Sequence, residues 1–224
     1  MNIGSKSAAP QAFIFDMDGT LFETETILVS VHERIFRTLR EEGLYTEPAP
    51  PIDKLLGCLG MLLEDIWHIL IPGSTEAARK RADTLMLQYE IEALEAGEGR
   101  LYDHVESTLA ELKARGCKLF VASNGLERYV KEIARYKGIS DLFDGLYSAG
   151  EYKTASKNDL VARLLKDHSI ESGWMVGDRS SDVEAGKSNG LAVVGCAYAA
   201  YGRKEELNGA DKLITDFREL LELV

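Results

Sequence analysis

Short apolar runs that stop abruptly on polar residues alternate with amphipathic stretches along most of the chain. Residues 12–15 read Ala-Phe-Ile-Phe and end at Asp16; so short and aromatic a run predicts a buried strand rather than a helix. Comparable runs at 118–122, 174–176 and 191–195 predict three more strands. Helical spacing fills the intervals. Val105, Leu109 and Leu112 share one face over 105–114, with Gly116 as the stop, and 159–168 repeats the pattern with Leu160, Val161, Leu164 and Leu165. Residues 217–221 predict a last short helix. Strand and helix in alternation predict an α/β fold, a doubly wound parallel sheet with a Rossmann-like core and helices on both faces.

One block breaks the alternation. From Phe22 to about Gly97 no strand-like run occurs, and amphipathic segments at 27–39, 52–70 and 76–94 are separated by the prolines at 48–51 and by Pro72-Gly73. Its place directly after the first strand predicts an all-helical cap domain, 22–97, inserted into a core domain made of 1–21 and 98–224. Hinges are expected near 20–23 and 98–101.

Composition narrows the function classes. The 224 residues suffice for a core domain with a modest insertion. With 37 acidic against 26 basic residues, the formal charge of −11 argues against a surface built for a nucleic-acid polymer or anionic lipid. A small anionic substrate stays open, because a local cation site overrides the global field. Three cysteines without paired metal-ligand spacing fit a reduced setting rather than a zinc site. Residues 1–10 lack the apolar core of a signal peptide, and no run of about 18 apolar residues occurs, so a cytoplasmic protein with no membrane partner is expected. Either a monomer or a homodimer is compatible with the sequence.

The chemistry gathers at the predicted strand ends. Asp16 and Asp18 lie two apart at the end of the first strand and can present two carboxylates to one spot, with Gly19 permitting a sharp turn. The second strand closes on Ser123-Asn124-Gly125 before a helix starting near Leu126, an arrangement of hydroxyl and backbone N–H groups that can seat an anion or simply cap the helix. The third closes on Gly177-Asp178, with Asp182 four residues on. Lys157 opens a helix, where the macrodipole gives a cation no advantage, and so is the preferred lysine to meet an anion over Lys153. Clustered carboxylates, anion-binding donors and one lysine suit Mg²⁺, which prefers oxygen ligands and is held by few carboxylates plus substrate phosphate. An EF-hand is excluded because 16–19 lacks its spacing and distal glutamate, and no Gly-x-x-x-x-Gly-Lys loop occurs.

These residues resemble the haloacid dehalogenase-like hydrolase superfamily, in the branch of phosphoglycolate phosphatases and β-phosphoglucomutases. The first signature, Asp-x-Asp-Gly-Thr, stands as Asp16-Met17-Asp18-Gly19-Thr20; the second is Ser123, the third Lys157, and the fourth Gly177, Asp178 and Asp182. The third departs from the pattern, since Asn158 follows the lysine where many relatives have proline. Within the cap, Lys54 resembles a basic residue that some caps direct at the substrate.

The resemblance implies a phosphatase acting on a small phosphorylated metabolite through an aspartyl phosphate. Asp16 is then the nucleophile and Asp18 the acid and base. Mg²⁺ is held by Asp16, the Asp18 carbonyl and Asp178, with Asp182 behind them. Thr20, Ser123, Asn124, Gly125 and Lys157 attend the phosphoryl group, and Lys54 the substrate. A sugar phosphomutase using the same aspartates, or a binding protein that has lost the reaction, are the alternative readings.

Overall fold

The computed structural model describes residues 12–201 and 204–224, so the reading of 1–10 lies outside the described residues. Six strands, β1 (Ala12–Phe15), β2 (Lys118–Ser123), β3 (Gly145–Ser148), β4 (Gly173–Gly177), β5 (Ala192–Cys196) and β6 (Lys212–Ile214), form one sheet in the order β3-β2-β1-β4-β5-β6. All adjacent pairs are parallel. The period of two explains the composition of β1: Phe13 and Phe15 pack into one hydrophobic cluster, Ala12 and Ile14 into another, and none is exposed. A strand buried on both faces must be apolar throughout.

The helices are α1 (Glu25–Glu41), α2 (Ile52–Leu56), α3 (Leu63–Leu70), α4 (Glu76–Glu95), α5 (Val105–Ala114), α6 (Glu127–Tyr136), α7 (Ala149–Tyr152), α8 (Lys157–Asp167) and α9 (Ser180–Ser188). Residues 217–223 close the chain as a 3₁₀ helix. The stripe Ile27, Leu28, Val31, Ile35 and Leu39 gives α1 a buried face, which packs along α4. Helix α4 starts on Thr75, whose side chain accepts from the Ala78 N–H at 3.2 Å.

Helices α1 to α4 form a continuous segment without a strand among the described residues, placed between β1 and α5. Its two connections to the sheet are tied to each other. Glu23 N–H donates to the Arg100 carbonyl at 2.9 Å and Tyr102 N–H to that of Leu21 at 3.1 Å, and Arg100 pairs with Glu23 at 2.7 Å.

The strand order reverses between β1 and β4. Beyond the carboxyl ends of strands at such a reversal an open crevice forms, where ligands of doubly wound sheets bind. The helical segment lies over this crevice through the 57–62 turn between α2 and α3, because Asn124 Nδ2 donates to the Gly60 carbonyl at 2.8 Å and an Arg179 guanidinium nitrogen to that of Gly57 at 3.1 Å.

Candidate active site

Asp16 follows β1 and is 1 % exposed; Asp178 follows β4 and is 4 % exposed. Parallel pairing of β1 with β4 brings these distant parts of the chain side by side, and Asp16 N–H donates to the Val176 carbonyl at 2.9 Å. Asp182, in the first turn of α9, completes a buried trio: one carboxylate oxygen from each of Asp16, Asp178 and Asp182 lies within 4.8 Å of the others. Two glycines make room for it. Gly19 has φ +75°, and a Cβ there would stand 2.4 Å from Asp178 Oδ2; at Gly177 it would stand 2.1 Å from Asp182 Cγ.

Lys157 is the cation inside this group. Its Nζ lies 2.9 Å from Asp16 Oδ2 and 2.6 Å from Asp182 Oδ1. Burial alone would lower its pKa, but the charges of Asp16 and Asp182 outweigh burial and raise it. Lys153 is instead exposed at the end of α7. The second Asp182 oxygen accepts the Arg179 N–H at 3.0 Å, so Asp182 is committed to orienting Lys157 and the start of α9.

Three buried carboxylates and one ammonium leave uncompensated negative charge. Burial lifts Asp16 to about 7, against the pull of Lys157. Burial, and then Asp182 and Asp16, push Asp178 well above the carboxylate range. Such a set of oxygen donors fits a hard divalent cation. Asp16 and Asp178 are the side chains with capacity to ligate, although Thr20 Oγ1 already donates to Asp178 Oδ1 at 3.1 Å. The Thr20 carbonyl accepts the Tyr198 hydroxyl at 2.7 Å, which anchors the turn after β1.

Asp18 faces a cavity between the sheet edge and the helical segment, shared with Asp16, Ser123, Asn124 and Gly125. The Thr24 and Tyr129 hydroxyls both donate to Asp18 Oδ1 at 2.6 Å. Burial raises the Asp18 pKa while these two bonds act to lower it. Ser123 Oγ accepts the Gly125 N–H at 3.0 Å. Lys54 is exposed on α2 and does not line the cavity; the helical segment sends in Glu90 instead.

Thr24, Tyr129, Glu90 and Arg179 were not expected from the sequence. Glu90 alone left a clear signal, since Ala82, Met86, Glu90 and Leu94 recur at intervals of four along the buried face of α4. The residue is 6 % exposed, and burial followed by the Asp18 charge drives its pKa well up.

The fold and this constellation define a class, and comparison with known proteins agrees. The model of the haloacid dehalogenase-like hydrolase family matches residues 13–196, and the chain belongs to that family. It is 28 % identical over 204 residues to the tyrosine-protein kinase PtkA of Mycobacterium tuberculosis, covering 90 % of this chain and 66 % of the kinase. It thus spans slightly less than two thirds of that relative's length. It is 29 % identical over 222 residues to the phosphoglycolate phosphatase of Colwellia psychrerythraea, covering 94 % and 95 % of the two chains. A solved structure described as a predicted phosphoglycolate phosphatase of Haemophilus somnus superposes with a TM-score of 0.80 at 23 % identity, covering 95 % and 97 %, a likeness of fold.

Proposed function

We propose that the protein is a Mg²⁺-dependent phosphatase that hydrolyses the phosphate monoester of a small metabolite through a phosphorylated Asp16. The observation that carries this reading is the placement of Asp16: at the carboxyl end of the central strand, paired with Lys157, beside Asp178, and open to the cavity that Asp18 also faces.

Asp16 attacks phosphorus, and the bond to the leaving oxygen breaks as Asp18 donates its proton there. Asp18, now a carboxylate, takes a proton from water; the water oxygen attacks the aspartyl phosphate, which releases inorganic phosphate and restores Asp16. Thr24 and Tyr129 occupy Oδ1 of Asp18, leaving Oδ2 to carry the proton. Lys157, Ser123 and the N–H groups near Asn124 and Gly125 receive the phosphoryl oxygens, a task of positioning and charge neutralisation. Mg²⁺, held by Asp16 and Asp178, supplies the positive charge that lets an anionic nucleophile meet an anionic phosphate.

In this reading residues 22–97 are a cap over the core formed by 1–21 and 98–224, moving on the paired connections at 20–23 and 98–101. The three cysteines are free and buried, and the described residues include no helix long and apolar enough to cross a membrane. A cytoplasmic setting and a water-soluble substrate belong to the same proposal. Phosphate release from an aryl phosphate with Mg²⁺ is the test. Asp16→Asn is expected to lose several orders of magnitude in kcat while keeping its circular dichroism spectrum; turnover at the parent rate refutes the nucleophile.

A further inference from the structure

The cavity in front of Asp18 is walled by Leu63, Ile66, Met86 and Leu126 and is about 60 Å³ in volume, room for a compact group. Among its lining residues the ionisable groups are Asp16, Asp18, Glu90 and Tyr129; no lysine, arginine or histidine lines it. Asp16 is paired with Lys157, and Asp18 holds the hydroxyls of Thr24 and Tyr129. Glu90, 6 % exposed as a residue, makes no side-chain hydrogen bond or ion pair with any described residue, and the one charge acting on its carboxyl is that of Asp18. Buried carboxyls are ordinarily paired or hydrogen-bonded, and Glu90 opens on the cavity, so a group that enters the cavity is what can pair with it. Nothing in the packing of α4 requires a carboxyl at this position, where its neighbours on the stripe are Met86 and Leu94.

We propose that Glu90 is a specificity-determining residue, selecting phosphate esters of small amino alcohols by receiving the ammonium group of the leaving alcohol. This inference rests on the hydrolase reading above, in which Asp18 gives its proton to the leaving oxygen, so the space beyond Asp18 belongs to the leaving alcohol. An ammonium supplies both the charge and the donors that Glu90 lacks. A neutral hydroxyl supplies a donor only. A carboxylate, as in phosphoglycolate, meets Glu90 and Asp18 with no cation on the wall, since Lys157 is engaged by Asp16 and Asp182. The chain therefore differs in its leaving-group preference from relatives that carry the phosphoglycolate phosphatase name.

The test is a series of nearly equal size and differing charge: O-phosphoethanolamine, 2-hydroxyethyl phosphate and 2-phosphoglycolate, with an aryl phosphate as reference and Mg²⁺ present throughout. The parent protein is expected to show kcat/KM falling from ammonium to hydroxyl to carboxylate, with about tenfold or more between the first two, the usual scale for a hydrogen bond to a buried charge. Glu90→Gln is expected to bring the ammonium-to-hydroxyl ratio close to one, and Glu90→Asp to retain part of the preference. Both rates are measured on one variant, so a general loss of folded enzyme cancels in the ratio. A parent that prefers phosphoglycolate, or a ratio unmoved in both variants, overturns the role of Glu90 while leaving hydrolysis intact. No Asp16-dependent phosphate release from any of the four esters overturns the hydrolase reading and this inference with it.

Discussion

The Tyr129 hydroxyl, from α6, donates to Asp18 Oδ1 at 2.6 Å, reaching across 111 positions of sequence to the turn after β1. Thr24 donates to the same oxygen. Two donors on one oxygen favour the carboxylate and fix its plane, which leaves the other oxygen as the working atom. Tyr129→Phe removes one donor, so the Asp18 pKa rises. In the proposed reaction Asp18 must be ionised to activate water, and the ascending limb of the pH–rate profile is therefore expected to move to higher pH, with kcat down about tenfold and KM little changed. An unmoved limb would separate Tyr129 from the ionisation of Asp18.

Lys157 and Lys153 separate cleanly by burial. The former is 2 % exposed between two carboxylates, and breaking a buried pair by removing one partner costs about 3–5 kcal/mol, because the remaining charges stay uncompensated. Lys157→Met is thus expected to lower the urea midpoint strongly and to abolish turnover. Lys153→Ala, in the open, is expected to stay within about 0.5 kcal/mol of the parent, the ordinary range for surface changes. Equal midpoints for the two variants would remove Lys157 from the ion pairs.

The charge imbalance of the Asp16, Asp178 and Asp182 trio has a signature in stability. In chelator the folded protein holds the Asp16 proton up to about pH 7, against an ordinary value of 3.8. A carboxyl whose pKa is raised on folding adds stability below its unfolded value and loses it as pH rises through the folded one. The metal-free melting temperature is therefore expected to fall between about pH 4 and pH 8. In the proposed site magnesium is held by ionised Asp16 and Asp178, so its stabilising effect should grow over the same interval and reach about 5 °C or more at pH 8 with metal well above its dissociation constant. A magnesium effect of equal size at pH 5 and pH 8 would contradict this linkage.

The strands that build the site were legible because they are buried on both faces: residues 12–15 needed no correction at either end, and the runs at 118–122 and 174–176 grew by only one or two residues. The edges were not. β3 is Gly-Leu-Tyr-Ser and β6 is Lys-Leu-Ile. Each pairs on one side only, so neither has to be apolar throughout, and a three- or four-residue strand leaves too short a pattern to read. Within the site, residues at strand ends could be named because the turn after a strand is local in sequence. Tyr129 and Thr24 could not, since what gives them meaning is the meeting of α6 and the β1 turn around one carboxylate, and the stripe on α4 that marks Glu90 as buried does not say what it faces. The stretch 52–70 read as one segment, but Gly57 and Gly60 lie in the break between α2 and α3.

That break carries the last prediction. Arg179 sits at the start of α9, donates across to the Gly57 carbonyl at 3.1 Å, and is held in turn by Glu206 at 3.3 Å and the Tyr201 carbonyl at 3.3 Å. Its neighbour in this task, Asn124, holds the Gly60 carbonyl. Both bonds join the core side of the crevice to the helical segment, and both end on main-chain carbonyls, so they hold the path of the turn whatever its side chains. Arg179→Ala keeps the backbone N–H that Asp182 accepts and removes the reach to the turn together with the contacts to Glu206 and the Tyr201 carbonyl that stay within the core. Looser closure admits water and weakens the hold on the bound ester. The expected result is a KM raised about tenfold, the scale of one lost charged hydrogen bond, together with faster proteolytic cleavage within 57–62 and a nearly unchanged urea midpoint. Protection of the turn equal to that of the parent would show that the helical segment is held over the crevice by its apolar contacts rather than by these two side chains.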